Sequence, residues 1–390
     1  MTLRSKLPDV GTTIFTLMSR RARELGAINL GQGFPDYAID PRLSELVAQA
    51  MRDGYNQYAL MEGAPDLRKQ ISAKLALTHD GTFDPDSEIT ITLGATEAIF
   101  CAIQAMVSAG DEAIVFDPAY DSYDPAIRLV GGRCIHIPLQ PPAFGWDWER
   151  VEAAINDRTR LIIINSPHNP ACTVATPADL DMLASLLRGR DIQVVADEVY
   201  EHVTYDGIRH ASVLDHPELR YKSFAVYSFG KALHATGLRV GYCVAPPELT
   251  RELRKVHQFN TFSIAHPLQQ AIAQYLAECP QSWQQLAQFF QHRRDRVCSA
   301  LAGTLWHTPP AQGTYFQLID YSALSDESDT VFAERLLTEA GVATIPLSPF
   351  YREAPRLSLL RLCIAKQDST LDAATMRLRE FADRLHGSRG

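Results

Sequence analysis

Four short segments carry residue types able to do group-transfer chemistry. In SFGKALHATGLRVGYCVA, Lys231 follows a β-branched run, three residues beyond Ser228 and eight before Arg239. A lysine at the end of a buried strand is desolvated, which favours its neutral amine and lets it form a Schiff base. The neighbouring hydroxyl and guanidinium suit a phosphate, because arginine presents a fixed fork of donors. In VVADEVYEH, Asp197 closes an apolar run and Tyr200 follows three residues on. A carboxylate there needs a partner, and a protonated ring nitrogen is one that would keep such a ring an electron sink. In LIIINSPHNPACT, two prolines fix the backbone around His168 and Asn169. Asn169 suits a ring substituent, whereas His168 reads as structural. In TLGATEAIF, a strand-to-helix turn leaves the N–H groups of Ala95 and Thr96 free for an anion, helped by the helix dipole. Each segment alone has a blander reading, such as a solvated lysine or a helix-capping aspartate. Their order along one chain is what carries the argument.

The elements that must position these residues lie between about residues 89 and 246, where short β-branched runs alternate with helical patterns. The runs are ITITLG, EAIVFD, CIHIP, LIIINS, IQVVAD, SFAVYS and RVGYCVA. They predict one sheet of seven strands, with helical connections at 97–108 and 177–187 as parallel strands require. Ligands in such folds sit at the carboxyl ends of the strands. Beyond Pro247 the pattern is helical, with a long amphipathic stretch over 266–297, then mixed α/β from GTYFQLIDYS onward. Residues 1–45 hold the turn-rich GQGFPDYAIDP and read as an arm rather than the start of the sheet. The expected organisation is an arm and part of a small domain at 1–45, a large domain at 46–275 and a small α+β domain at 276–390.

Composition narrows the function class. A chain of 390 residues exceeds one hydrophobic core, and 46% apolar with 21% charged residues fits a globular enzyme. The net charge of -9 and the short, interrupted basic runs argue against nucleic acid. Seven cysteines without a CxxC pair suit reduced thiols in a cytoplasm and point to no metal site. The N-terminus lacks a signal-peptide core, and no apolar run is long enough for a bilayer.

Taken with INLGQGFPDY, YNQYALMEGAPDLRKQI, FDPAYDSY, GTYFQLIDYS and LLRLCIAK, the four segments make the chain resemble the class I aminotransferases. These are pyridoxal-phosphate (PLP) enzymes of fold type I. The likeness is to the branch holding methionine aminotransferases and kynurenine or glutamine transaminases, and it covers nearly the whole chain. It implies the α/β fold of that class, with a seven-stranded, mostly parallel sheet and a smaller α+β domain. It also implies roles. Lys231 is similar to the Schiff-base lysine that moves the substrate proton, Asp197 to the partner of the ring nitrogen, and Tyr200 and Asn169 to hydrogen-bonders of the ring hydroxyl. Tyr120 resembles the aromatic lid, and Ser228, Arg239 and the backbone of Ala95 and Thr96 the phosphate cup. Tyr58 matches a tyrosine supplied by the other subunit, implying a homodimer with shared active sites. Arg361 corresponds to the arginine that grips the substrate α-carboxylate, with Asn169 and the backbone near Gly33.

The resemblance implies ping-pong transfer of an amino group to a 2-oxo acid from a donor with an apolar or aromatic side chain, methionine-like favoured. The alternative is a β-lyase of the same fold, cleaving cysteine conjugates. Selectivity is expected from the segments GQGFPDY and GVATIPLSPFY, which offer Phe34, Tyr37, Ile345, Phe350 and Tyr351 but no cation except Arg352. Where many relatives follow HNP with Thr-Gly, this chain has Ala171 and Cys172, so the turn must manage without glycine. Cys172 reads as a small packing residue.

Overall fold

The computed structural model describes residues 4–387. Its strands, in chain order, are β1 (Ile28–Asn29), β2 (Ile89–Thr92), β3 (Glu112–Asp117), β4 (Arg133–Pro138), β5 (Thr159–Asn165), β6 (Gln193–Asp197), β7 (Ser223–Ser228), β8 (Gly241–Val244), β9 (Phe316–Asp320), β10 (Val342–Ala343), β11 (Ile345–Pro346) and β12 (Leu359–Cys363). The seven β-branched runs all become strands of one sheet, ordered β2-β8-β7-β6-β5-β3-β4. Six of its strands would suffice for a purely parallel reading, but β8 runs antiparallel to both β7 and β2. The sheet is thus mostly parallel, as expected, with one antiparallel strand whose direction the crossover pattern alone does not give. The link from β7 to β8, residues 229–240, holds only the helical turn Phe229–Ala232 and the 3₁₀ turn Thr236–Leu238, with no helix long enough to carry the chain back across the sheet.

The central strands are nearly continuous apolar runs because helices cover both faces. Leu161 and Ile163 enter the core on one side of β5, Ile162 and Ile164 that on the other. From β3 the chain steps outward to β4, then returns to place β5, β6 and β7 on the opposite side of β3. The carboxyl ends of β3 and β5 therefore frame the point where winding reverses, the usual crevice for a ligand.

The helix expected at 177–187 forms over Pro177–Leu187, started by proline at its first turn and a capping box between Thr176 and Asp179. The helix expected from 97 begins earlier, as Gly94–Met106. The long stretch 266–297 is not one helix. It breaks at Cys279 and Pro280 into His266–Glu278, Gln281–Gln284 and Leu286–Leu301, because proline lacks the N–H an inner turn needs. The N-terminal residues are more ordered than an arm: Ile14–Glu24 is a helix capped by Thr13, and β1 pairs in parallel with β10. The antiparallel sheet β11-β12-β9 places Arg361 between Leu318 and Ile345. Among the described residues, no helix is long and apolar enough to cross a membrane.

Candidate active site

One cleft at the carboxyl ends of the sheet strands is lined by Ala95, Thr96, Tyr120, Asn169, Asp197, Tyr200, Ser228, Lys231 and Arg239. Nine residues singled out from separate segments thus share one wall. β6 ends at Asp197, β7 at Ser228, and Lys231 lies in the single helical turn Phe229–Ala232 that follows.

Lys231 is half-buried at the cleft wall, and desolvation pushes its amine down to about 8 against the opposing pull of Cys363 and Asp197. Its Nζ donates to the Tyr315 hydroxyl at 2.6 Å, and that hydroxyl donates to the Gly33 carbonyl at 2.6 Å. Gly33 has to be glycine there, since a Cβ would meet the Phe316 ring at 2.8 Å. Asp197 is pushed the other way, up to about 6, by the same burial, although the Tyr123 hydroxyl donates to its Oδ2 at 2.6 Å. The loop after β5 is tied to β6 by Asn165. Its amide donates to the Asp197 carbonyl at 2.7 Å, and its side-chain oxygen accepts the Asn169 N–H at 2.8 Å.

At the opposite end of the cleft, Gly94 opens the helix Gly94–Met106 with φ of +71°, and a Cβ on it would lie 2.8 Å from Arg239 Nη2. Gly241 is packed as closely, a Cβ there meeting the Gly94 carbonyl carbon at 2.7 Å and the Ala95 nitrogen at 2.8 Å. The strand, the helix N-terminus and Arg239 are thereby drawn into one cup of donors. Arg239 hydrogen-bonds only the Thr236 carbonyl, at 3.4 Å, and has no ion-pair partner among the described residues.

Arg361 lies behind Asn169, whose Oδ1 accepts from Nη1 at 2.6 Å, while Nη2 donates to the Gly31 carbonyl at 3.0 Å. Its guanidinium stacks 3.8 Å from the Phe316 ring, is fully buried, and keeps Nε without a partner. A buried cation with no carboxylate among the described residues calls for an incoming anion. Two unpaired guanidiniums, a buried carboxylate and a partly neutral lysine around one cleft suit a small planar ligand with an anionic group and a basic ring nitrogen, together with a carboxylate substrate.

Other expectations divide. His168 is buried, accepts from the Ala171 N–H at 3.2 Å and is pushed down to about 4 by burial, a neutral packing residue. Cys172 supplies the turn that lacks glycine by adopting φ of +62°, and its thiol is buried and pushed up to about 12. Tyr58 is not in this cleft: it is 81% exposed, edge-on to Phe262. Of the residues expected to select the side chain, Tyr351 donates to the Leu139 carbonyl, while the Arg352 guanidinium lies 3.8 Å from Asp9 and its backbone N–H donates to Asp117 Oδ2. The two segments bring no cation but Arg352, yet cations from elsewhere in the chain come close. Lys366 donates to the Phe34 carbonyl at 2.8 Å, and the Arg293 guanidinium sits 5.7 Å from the Tyr37 ring. Both come from segments far from Phe34 in sequence. Tyr123, Asn165 and Tyr315 were missed for a similar reason: each lies inside a segment already singled out, but only the fold shows that Asp197, Asn169 and Lys231 need those partners.

The family described as aminotransferase class I and II matches residues 26–378. The chain is 48% identical to a methionine aminotransferase of Escherichia coli, covering 97% of this chain and 98% of that one. It is 30% identical to kynurenine–oxoglutarate transaminase 1 of Mus musculus, covering 92% and 93%. A solved structure of an Escherichia coli protein described as having a methionine aminotransferase function superposes with a TM-score of 0.96 at 48% identity, over 97% of this chain and 100% of that one.

Proposed function

Because this chain belongs to the class I and II aminotransferases, we propose that it moves the amino group of a methionine-like or aromatic amino acid to a 2-oxo acid, using pyridoxal 5'-phosphate attached at Lys231. The observation that carries this reading is the cleft that gathers Lys231, Asp197 and Arg239, with Arg361 unpaired behind Asn169. When bound, the cofactor supplies a protonated ring that withdraws the electron pair left on the substrate α-carbon.

The remaining work belongs to the protein. Ser228, Arg239 and the N–H groups of Ala95 and Thr96 hold the phosphate, and Asp197, steadied by Tyr123, holds the proton on the ring nitrogen. Tyr120 covers the ring, and Asn169 and Tyr200 bond its hydroxyl. Lys231 Nζ takes the proton from the substrate α-carbon and returns it, and burial, by lowering the amine to about 8, keeps it neutral often enough to accept that proton. Arg361 fixes the substrate carboxylate, so the breaking bond is oriented toward Lys231. The large unit at 46–275 carries the cofactor, while the unit at 276–390 and the arm at 1–45 bring Arg361 and Gly33 to the substrate. Two such chains form a homodimer in which each Tyr58 serves the other's phosphate.

Selection rests on the aromatic surface of Phe34 and Tyr37. Arg293 is already engaged by the Lys366 and Phe289 carbonyls and by Asp368 at 3.5 Å, and Lys366 is bonded to the Phe34 carbonyl. An aspartate side chain placed among these rings loses several kcal/mol unless it recruits one of those cations. The test compares kcat/KM for methionine, phenylalanine and aspartate with one common 2-oxo acid. Methionine or phenylalanine is expected to exceed aspartate by at least about a hundredfold. A preference for aspartate overturns the reading of the pocket.

A further inference from the structure

The edge strand β4 carries a second constellation of chemically able side chains, remote from Lys231 in sequence and unused by the transfer reaction. Cys134 and His136 stand two residues apart on β4 and so point to the same face. The helix Tyr123–Leu129 crosses that face and presents Asp124. One ligand atom from each of Asp124, Cys134 and His136 lies within 4.8 Å of the others. His136 Nδ1 is 2.9 Å from Asp117 Oδ1, which turns Nε2 toward Asp124 Oδ1 at 3.5 Å. An open cleft of the surface, bordered by Arg150 and Arg352, leads to these atoms.

We propose that Asp124, Cys134 and His136 form a zinc site, with water from the cleft as the fourth ligand. Thiolate, imidazole and carboxylate are the donor types zinc takes, and a tetrahedral ion places neighbouring nitrogen and oxygen ligands about 3.3 Å apart, close to the spacing found. Asp117 plays the outer carboxylate that fixes the imidazole tautomer of a metal-bound histidine. Arg128 donates to Asp124 Oδ2 at 2.9 Å, which leaves Oδ1 for the metal. Zinc enters by displacing the proton on His136 Nε2 and the Cys134 thiol proton. Soft thiolate ligation favours zinc over magnesium or calcium.

A second cluster, Glu97, Cys101 and His257, is a useful contrast. Its donors are already engaged: His257 Nδ1 lies 2.8 Å from Glu97, Nε2 lies 2.9 Å from the Met61 carbonyl, and Glu97 Oε2 accepts the Leu93 N–H. That cluster is closed on itself, Cys101 Sγ donating to Glu97 Oε1 at 2.9 Å, and all three of its side chains are buried, whereas the β4 group opens to a surface cleft. The site at β4 would instead tie the sheet edge to the helix whose first residue, Tyr123, donates to Asp197.

The test uses tag-free holoenzyme, stripped with chelator and without amino acid, dialysed against zinc and analysed for metal. One zinc per chain is expected, with the melting temperature raised by zinc. Cys134→Ser and His136→Ala should each lose the bound zinc and the melting shift, and Asp117→Asn should weaken binding roughly 10–100-fold. Cys101→Ser should keep both. Cobalt in place of zinc should give the visible bands of a tetrahedral ion with a sulfur-to-metal band that disappears in Cys134→Ser. Zinc no higher than in a metal-free control protein, or one zinc per chain retained in Cys134→Ser and His136→Ala, overturns the proposal.

Discussion

Lys231 and Asp197 share a cleft, and burial moves them toward each other, the amine down to about 8 and the carboxyl up to about 6. Because the lysine is depressed, its neutral form dominates above about pH 8 instead of above its usual value near 10.5. Capture of pyridoxal phosphate by the apoprotein should therefore quicken by about tenfold per pH unit below 8 and level off above it. The stopped-flow absorbance of the mixed solution checks this, and a rise continuing to pH 10 would contradict it. Lys231→Ala should hold no borohydride-reducible cofactor at all. Asp197→Ala should lower kcat by about a hundredfold or more, since the ring nitrogen loses its proton holder. Tyr123→Phe tests a positioning role. Removing the hydroxyl that stabilises the Asp197 carboxylate raises its pKa further, so the acid limb of the kcat/KM profile should move to higher pH, with kcat falling by about tenfold. A merely structural tyrosine would leave that limb in place.

At the scale of elements, the anion cup depends on backbone approaches that side chains forbid. β8 can run beside β7 and still touch the helix Gly94–Met106 only because Gly241 has no Cβ, the Tyr227 carbonyl and the Ala95 nitrogen both lying within 2.8 Å of where one would be. Gly241→Ala must push the helix N-terminus from the strand, since backbone rather than a flexible side chain is in the way. The expected result is a stability loss of about 1–3 kcal/mol and a cofactor lost on dialysis at least ten times faster than from the parent. Thermal melts and the retained absorbance report the two effects separately. Unchanged retention would mean that the cup does not hold the phosphate.

For the whole molecule, Tyr58 is the residue that a single chain leaves unexplained. It stands 81% exposed beside Phe262, with Phe259 at 86% and Leu60 at 53%, an apolar surface that monomeric proteins seldom leave bare. The homodimer proposed above would cover it and carry Tyr58 to the partner's phosphate cup. Mixing Lys231→Ala with Tyr58→Ala subunits should restore activity above either parent, since one site in each mixed dimer has its own lysine and its partner's tyrosine. No gain despite confirmed subunit exchange would count against sharing.

The seven sheet strands were legible in the sequence because buried parallel strands are short apolar runs bounded by turn residues, and each strand end then placed Asp197, Ser228 and Lys231 by simple counting. The family was legible because motifs in one order are not matched by chance. Local pattern could not give the direction of β8, which depends on the short link from β7, nor the break at Pro280 within a continuous apolar period. It could not show which donors complete the buried groups. Tyr123 meets Asp197 across 74 residues, Tyr315 meets Lys231 across 84, and Lys366 meets Phe34 across 332. Such pairs answer to the demand that every buried polar group find a partner, a condition imposed only once the chain has closed on itself. The cluster on β4 has the same origin. Its cysteine and histidine are two residues apart, but Asp124 and Asp117 join them only through the packing of a helix on a sheet and the register of two strands.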